Sequence, residues 1–171
     1  MLLAVSISLG ASAVPESLAR RLPRLDAHTL AGRDLVLPDS CAGRVALVAL
    51  AFRRELAAEV DTWAVEFARR HPEADGFRCY EVPMIGNRVP GFLRGVISAA
   101  MRRAVPRDRR GSYAPFFGDA VKYAADFGIT DLSVVHVALL DRRGLVRWRA
   151  SGRPTAAALA ALDTAIDGIQ E

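Results

Sequence analysis

The sequence has few of the residues that build covalently cross-linked or metal-stabilised domains. It contains two cysteines, Cys41 and Cys79, with 37 residues between them, and this spacing matches no C-x-x-C, zinc-ribbon or haem motif. Two cysteines exclude a multi-disulfide framework and leave either one bridge or, the reading we favour, two unrelated thiols. The three histidines, His28, His71 and His136, include no i, i+4 pair. The sequence therefore predicts no metal site and no cofactor.

Lysine is almost absent, since Lys122 is the single lysine among 23 basic residues. An excess of arginine over lysine is typical of a GC-rich bacterial genome, so we predict no nucleic-acid partner from it. The remaining composition is ordinary: 171 residues, 51% hydrophobic and 25% charged, with a formal charge of +4. These values predict a single globular domain that buries a core without cross-links.

The N-terminal segment allows two interpretations. An apolar run over residues 2–14 ends in Ala11-Ser12-Ala13, which has the form of a signal-peptide cleavage site, but the first basic residue is Arg20. The run is also shorter than the roughly 20 residues that span a bilayer, and its alternating apolar residues equally predict a short strand. We therefore separate residues 1–21 from a domain over 22–171. The sequence leaves the localisation open. A cytoplasmic or membrane-associated location is favoured, and the protein is exported if the apolar run is a signal peptide.

Apolar periodicity predicts a β-hairpin followed by alternating strands and helices. The continuously apolar run 45–52 and the largely apolar run 132–140 predict adjacent central strands that are covered on both faces. A helix over 55–71 is expected to pack on one of those faces. The remaining predicted elements are the hairpin 22–38, strands 77–82 and 145–149, and helices 91–105, 119–127 and one that begins at Pro154 or Thr155.

This order resembles a thioredoxin-like α/β fold, with a central mixed β-sheet flanked by helices and an N-terminal β-hairpin. Among cysteine-less relatives, the chain is most similar to the thioredoxin-like assembly-factor family of the mitochondrial ATP synthase, whose members help to mature its membrane-embedded proton-channel subunit. The resemblance covers residues 22–169. It rests on the segments Leu50-Ala51-Phe52-Arg53, Met101-Arg102-Arg103-Ala104-Val105-Pro106, Phe127-Gly128-Ile129-Thr130 and 139–148, together with Trp63, Phe67, Leu93 and Tyr113.

The redox chemistry of thioredoxin-like proteins is missing from this sequence. Setting Ala46-Leu47-Val48 on the family's first central strand places Glu55 and Ala58 on the two cysteine positions, and residues 53–61 contain no Cys, Ser or Thr. The position of the family's cis-proline falls on Val135. The resemblance therefore implies that these are degenerate redox positions with no catalytic residue.

A basic, apolar segment is the predicted binding surface. Residues 88–110 contain seven arginines and one acid, Asp108, which gives this stretch a charge of +6 and leaves the rest of the chain at −2. Such a helix can bind an anionic membrane surface or a client helix, whereas the alternative is a helix packed on the sheet with its arginines in water. The predicted partner-binding residues are Arg94, Arg102, Arg103, Arg107, Arg109, Arg110 and Tyr113.

Three function classes are considered. One of them, an enzyme with a different site, would need a nucleophile, base or metal constellation, and the sequence shows none. The favoured one is a non-enzymatic assembly factor or chaperone that binds a membrane-protein client. The alternative is a thiol-redox protein of the thioredoxin or peroxiredoxin type with a degenerate or displaced active site.

Overall fold

The computed structural model describes residues 21–170, which form a two-stranded antiparallel hairpin and a four-stranded mixed sheet with helices on both faces. The strands are β1 (Leu25–His28), β2 (Asp34–Leu37), β3 (Val45–Ala51), β4 (Phe77–Pro83), β5 (His136–Leu140) and β6 (Val146–Ser151). The helices are α1 (Ala57–Arg70), α2 (Gly91–Ala104), α3 (Ala120–Phe127) and α4 (Ala156–Gln170). The thioredoxin-like fold class expected from the sequence is confirmed.

The central sheet has the strand order β4-β3-β5-β6. Strands β3 and β4 are parallel and are connected through α1, whereas β3 pairs with β5, and β5 with β6, in antiparallel register. The prediction that the two long apolar runs form adjacent central strands is confirmed, because β3 and β5 are the two inner strands.

Both faces of β3 are covered. Ala46, Val48 and Leu50 point into a core shared with the hairpin and α3, while the alternate residues of β3 pack against α1 and α4. All seven residues of this strand are buried. Coverage on two sides explains why the run is continuously apolar instead of alternating.

Both predicted hairpins are present. Strands β1 and β2 pair around the turn at residues 29–33, where the Thr29 hydroxyl accepts a hydrogen bond from the Arg33 amide at 3.1 Å. Between β5 and β6, Gly144 has a φ of 75°, the left-handed conformation that glycine adopts at low cost.

Several predicted boundaries are corrected, among them the first residues of β5, α1 and α4, while β6 runs two residues beyond the predicted end at 149. Strand β5 begins at His136 instead of Leu132, because the Asp131 carboxylate accepts a hydrogen bond from the Ser133 amide and holds the preceding residues in a turn. Helix α1 begins at Ala57, after a 3₁₀ turn over Arg54–Leu56. Helix α4 begins at Ala156, with the Thr155 hydroxyl accepting a hydrogen bond from the Ala158 amide.

The interpretations of the segment before Arg21 lie outside the described residues. Within residues 21–170, the structure contains no helix with the length and apolar character needed to cross a membrane.

Candidate functional site

The degenerate redox positions lie where the first central strand leads into α1. Strand β3 ends at Ala51, Glu55 lies in the 3₁₀ turn that follows, and Ala58 lies in the first turn of α1. Both side chains are exposed. Neither a carboxylate nor a methyl group can attack a disulfide, so this strand-to-helix junction carries no thiol nucleophile.

Val135 lies beside that junction. It is fully buried and directly precedes β5, whose first residue, His136, pairs with Leu50 near the end of β3. The rings of Phe52 and His136 are 6.3 Å apart and meet edge-on, and the His136 Nε2 atom lies 2.6 Å from the Asp131 carbonyl oxygen. The predicted degenerate positions thus lie at the same end of the sheet, and the residue at the predicted proline position, Val135, is apolar and buried.

The two cysteines lie on opposite faces of the sheet and both are free thiols. Cys41 belongs to the core on the hairpin side, and Cys79 packs against the core on the α1 side. Burial, with a contribution from Asp39, raises the pKa of Cys41 to about 12, and burial also raises the pKa of Cys79. Because the thiolate is the reactive form of cysteine, both positions are poor nucleophiles at neutral pH.

Helix α2 lies in the basic segment and contributes no buried residue to the core. The apolar residues of α2 recur at helical spacing, which predicts one broad stripe, but their exposure differs along it. Ile97 and Met101 are half-buried, whereas Phe92 is 79% exposed and Val96 is 63% exposed. Phe92 and Val96 are one helical turn apart and therefore form a single exposed apolar surface.

Four of the predicted binding arginines are exposed along or just after α2: Arg94, Arg102, Arg103 and Arg107. The Arg94 guanidinium lies 5.7 Å from the ring centre of Phe117. The Arg102 Nε atom donates a hydrogen bond to the Leu30 carbonyl at 2.9 Å, which attaches the end of α2 to the turn of the N-terminal hairpin.

Arg109 is committed to an internal ion-pair network. Its guanidinium donates two hydrogen bonds to the carboxylate of Glu81 on β4, one of them at 3.0 Å, and it also pairs with Asp61 on α1. Glu81 is 2% exposed. Burial raises the pKa of Glu81, and the Arg109 pair opposes that rise. Burial alone would lower the pKa of Arg109, but its bonds to Glu81 and Asp61 outweigh this effect and raise it.

Arg110 and Tyr113 are half-buried and belong to the chain that follows α2. The Arg110 Nε atom donates a hydrogen bond to the Val105 carbonyl at 3.0 Å. Tyr113 lies in a stretch that runs along the outer edge of β4, where the Glu81 amide donates to the Ser112 carbonyl and the Ala114 amide donates to the Glu81 carbonyl. Among the predicted binding residues, the structure thus brings the exposed arginines together with α2 and turns Arg109, Arg110 and Tyr113 toward the body of the domain.

The partners of Arg109, Glu81 and Asp61, are not among the residues predicted from the sequence. A signal for Glu81 exists in the sequence, because a carboxylate within a mostly apolar strand requires a buried cationic partner. No comparable signal marks Asp61, since it occupies a polar position of an amphipathic helix. In the described part of the chain, histidines, cysteines and carboxylates form no cluster of three or more that could hold a metal ion.

The comparisons with known proteins agree with this geometry. A comparison with curated protein sequences finds no match. Solved structures with the same fold include a putative thiol:disulfide interchange protein DsbE from Chlorobium tepidum, which is 16% identical, with a TM-score of 0.58, 88% of this chain covered and 96% of that one.

A putative protein disulfide isomerase from Bacteroides thetaiotaomicron is 14% identical, with a TM-score of 0.61, 90% of this chain covered and 91% of that one. BsSco, a member of the Sco family of cytochrome c oxidase assembly proteins, is 10% identical, with a TM-score of 0.60 and coverages of 88% and 94%. Identities this low show the fold alone.

A family model matches far more of the sequence than any local motif does. The model described as ATP10 protein matches residues 10–169. This range contains the degenerate redox positions, the basic segment and every strand of the sheet. The chain therefore belongs to the ATP10 family, the thioredoxin-like family of ATP synthase assembly factors.

Proposed function

We propose that this protein is a non-enzymatic assembly factor that binds a membrane-protein client of ATP synthase biogenesis through the exposed surface of α2. The observation that carries the proposal is that an amphipathic helix leaves Phe92 and Val96 in solvent, beside exposed arginines. Membership of the ATP10 family supports the biological context.

The exposed apolar surface of α2 favours the binding of a partner protein. A helix of this length gains most of its stability from packing its apolar face, and α2 packs only Ile97, Met101 and their neighbours part-way against the domain. Covering a Phe or Val side chain contributes about 1.5–3 kcal/mol each. A client that covers Phe92 and Val96 therefore gains affinity from surface that the domain itself leaves in water.

The charge beside that surface indicates the chemistry of the client. Arg94, Arg103 and Arg107 are exposed, and no ion pair within residues 21–170 engages their guanidinium groups. Opposite charge across an interface increases the rate of encounter and fixes the register of binding. We infer a client segment that combines apolar residues with carboxylates.

The non-enzymatic part of the proposal rests on the missing redox chemistry. The strand-to-helix junction carries Glu55 and Ala58, Val135 replaces the proline, and the thiols of Cys41 and Cys79 have raised pKa values. A fold that keeps its sheet while its nucleophile is absent is suited to binding without turnover.

The test compares two valines that are exposed on different helices. Val96 on α2 is 63% exposed and Val121 on α3 is 70% exposed, so Val96→Gln and Val121→Gln make the same chemical change with little effect on folding. Tagged protein is purified from detergent-solubilised membranes of the native organism, and co-purifying ATP synthase subunits are quantified.

We expect Val96→Gln to lose the subunit by about tenfold and Val121→Gln to retain it. Equal retention by both variants would refute α2 as the binding surface. Binding of the purified chain to protein-free anionic vesicles, with no subunit recovered, would instead identify the membrane surface as the partner and overturn the client proposal.

A further inference from the structure

A cavity of about 350 Å³ lies between the N-terminal hairpin, the segment before β3 and the start of β4. It is separate from the degenerate redox junction and does not include the exposed apolar surface of α2. Three arginines line it, one from each of three segments: Arg33 from the hairpin turn, Arg44 from the residue before β3, and Arg78 from β4. The cavity is therefore a point where cationic side chains from distant parts of the sequence converge.

Two of these guanidinium groups share one weak partner. The Nη2 atoms of Arg33 and Arg78 each donate a hydrogen bond to the Gly111 carbonyl oxygen at 3.4 Å. Gly111 permits this approach, because a Cβ atom at that position would collide with the Arg33 guanidinium. Two cations that converge on one neutral carbonyl repel each other, and an anion between them would relieve the repulsion.

The carboxylates of the cavity leave a positive charge uncompensated. Glu73 pairs with Arg44 at 3.2 Å and also with Arg78, so one carboxylate serves two guanidinium groups. Asp34 pairs with the His28 ring at 2.7 Å. In the described part of the chain, Arg33 forms no ion pair. The cavity therefore contains more arginine side chains than carboxylates that pair with them.

We propose that this cavity, the arginine cavity, binds a phosphate group carried on a small organic body. Guanidinium groups present paired N–H donors that match the oxygens of phosphate, and arginine is preferred where such planar recognition is needed. The volume is within the usual range for small-molecule sites and exceeds what one inorganic phosphate fills. Soluble phosphate monoesters and phospholipid head groups share this chemistry.

Glu73 competes with the ligand in this proposal. Its carboxylate already lies against Arg44 and Arg78, and its side chain is 61% exposed, so it can move aside into solvent. Removing its charge should strengthen phosphate binding, while removing either Arg33 or Arg78 should weaken it. A general electrostatic attraction to a basic protein would not depend on which arginine is removed.

The experiment titrates the full chain with inorganic pyrophosphate and with glycerol 3-phosphate by calorimetry at fixed ionic strength. We expect Arg33→Gln and Arg78→Gln each to weaken binding about tenfold, and Glu73→Gln to strengthen it several-fold. Arg142→Gln removes one exposed arginine outside the cavity and serves as the matched control. Gly111→Ala keeps the net charge, displaces the Arg33 guanidinium and should weaken binding.

A second arm separates the two sources of phosphate. Flotation with phosphatidylcholine vesicles, with and without phosphatidic acid, is compared for the unaltered chain and for Arg33→Gln. Vesicle binding that needs both phosphatidic acid and Arg33 identifies a lipid head group, whereas binding of glycerol 3-phosphate alone identifies a soluble ligand.

Absence of binding to pyrophosphate, to glycerol 3-phosphate and to phosphatidic acid vesicles alike would overturn the proposal, as would equal losses for Arg33→Gln and Arg142→Gln in folded protein. The α2 variant Val96→Gln should leave phosphate binding unchanged. The proposal for the arginine cavity and the proposal for the client surface can therefore be refuted independently of each other.

Discussion

Arg109 joins three parts of the chain through one side chain. It follows α2, its guanidinium binds the buried carboxylate of Glu81 on β4, and it also reaches Asp61 on α1. Its role is structural, because the same guanidinium cannot serve these carboxylates and an external partner at once. Proposals about binding are therefore better placed on its exposed neighbours, Arg103 and Arg107.

The first prediction concerns this pair. Arg109→Ala leaves the Glu81 carboxylate buried without its cation, which we expect to lower the free energy of unfolding by about 3 kcal/mol at neutral pH. Without Arg109, burial raises the pKa of Glu81 further above its ordinary value of 4.5. Protonated Glu81 is then favoured in the folded state. The free energy of unfolding of the variant is therefore highest at acidic pH and falls as the pH rises through that raised pKa.

Urea unfolding at several pH values between about 5 and 8 measures this dependence. Asp61→Asn is the matched control, since Asp61 is 56% exposed and its pair is expected to contribute less than about 1 kcal/mol. A loss of stability in Arg109→Ala that is the same at all pH values would contradict a buried, unpaired Glu81.

Among the secondary-structure elements, α3 is a short helix whose stability depends on the residues that cap its two ends. Its eight residues pack Tyr123, Ala124 and Phe127 against the hairpin side of the sheet. The Asp119 carboxylate accepts a hydrogen bond from the Lys122 amide at 2.9 Å, and Gly128 ends the helix with a φ of 72°.

The second prediction is that Asp119→Ala destabilises the domain by about 1 kcal/mol, because the amides of the first turn lose their acceptor. Asp126→Ala is the control: it removes an exposed i, i+4 pair with Lys122 and should cost less than about 0.5 kcal/mol. Both values come from chemical unfolding followed by circular dichroism. Equal losses in the two variants would show that the cap does not stabilise α3.

At the scale of the whole molecule, the sheet separates the two thiols. Cys41 and Cys79 belong to cores on opposite faces, so the strands themselves stand between the sulfur atoms. The thioredoxin-like architecture is thus retained while a disulfide between these cysteines is excluded in the folded state.

The third prediction follows from that separation. The melting temperature should be the same with and without dithiothreitol, and the purified protein should show no cysteine-dependent reduction of insulin disulfides. The Cys41→Ala, Cys79→Ala double variant should keep the client binding of the unaltered chain. A reductant-dependent shift in melting temperature, or turnover that the double variant loses, would favour the displaced redox site instead.

The order and type of the strands and helices are predictable from the amino-acid sequence. Runs such as Val45–Ala51 are apolar because both faces of an inner strand are covered. A continuously apolar run of this kind can be recognised in a single amino-acid sequence. The sequence also predicts degenerate redox positions, since neither Glu55 nor Val135 can perform the role of a cysteine or a proline. The first residue of β5 is not predictable in this way, because a local hydrogen bond from the Ser133 amide to the Asp131 carboxylate holds a turn where hydrophobicity predicts a strand.

Which arginines are available for binding and which apolar residues are covered depends on contacts between distant parts of the chain. Periodicity places Phe92, Val96, Ile97 and Met101 on a broad stripe of one helix, but exposure depends on what the rest of the chain brings beside it. In the same way, Arg33 and Arg78 are 45 positions apart in the sequence and meet at Gly111 only because the hairpin folds against the edge of the sheet. Local patterns encode local geometry, whereas ion pairs and cavities depend on contacts between residues that are distant in the chain.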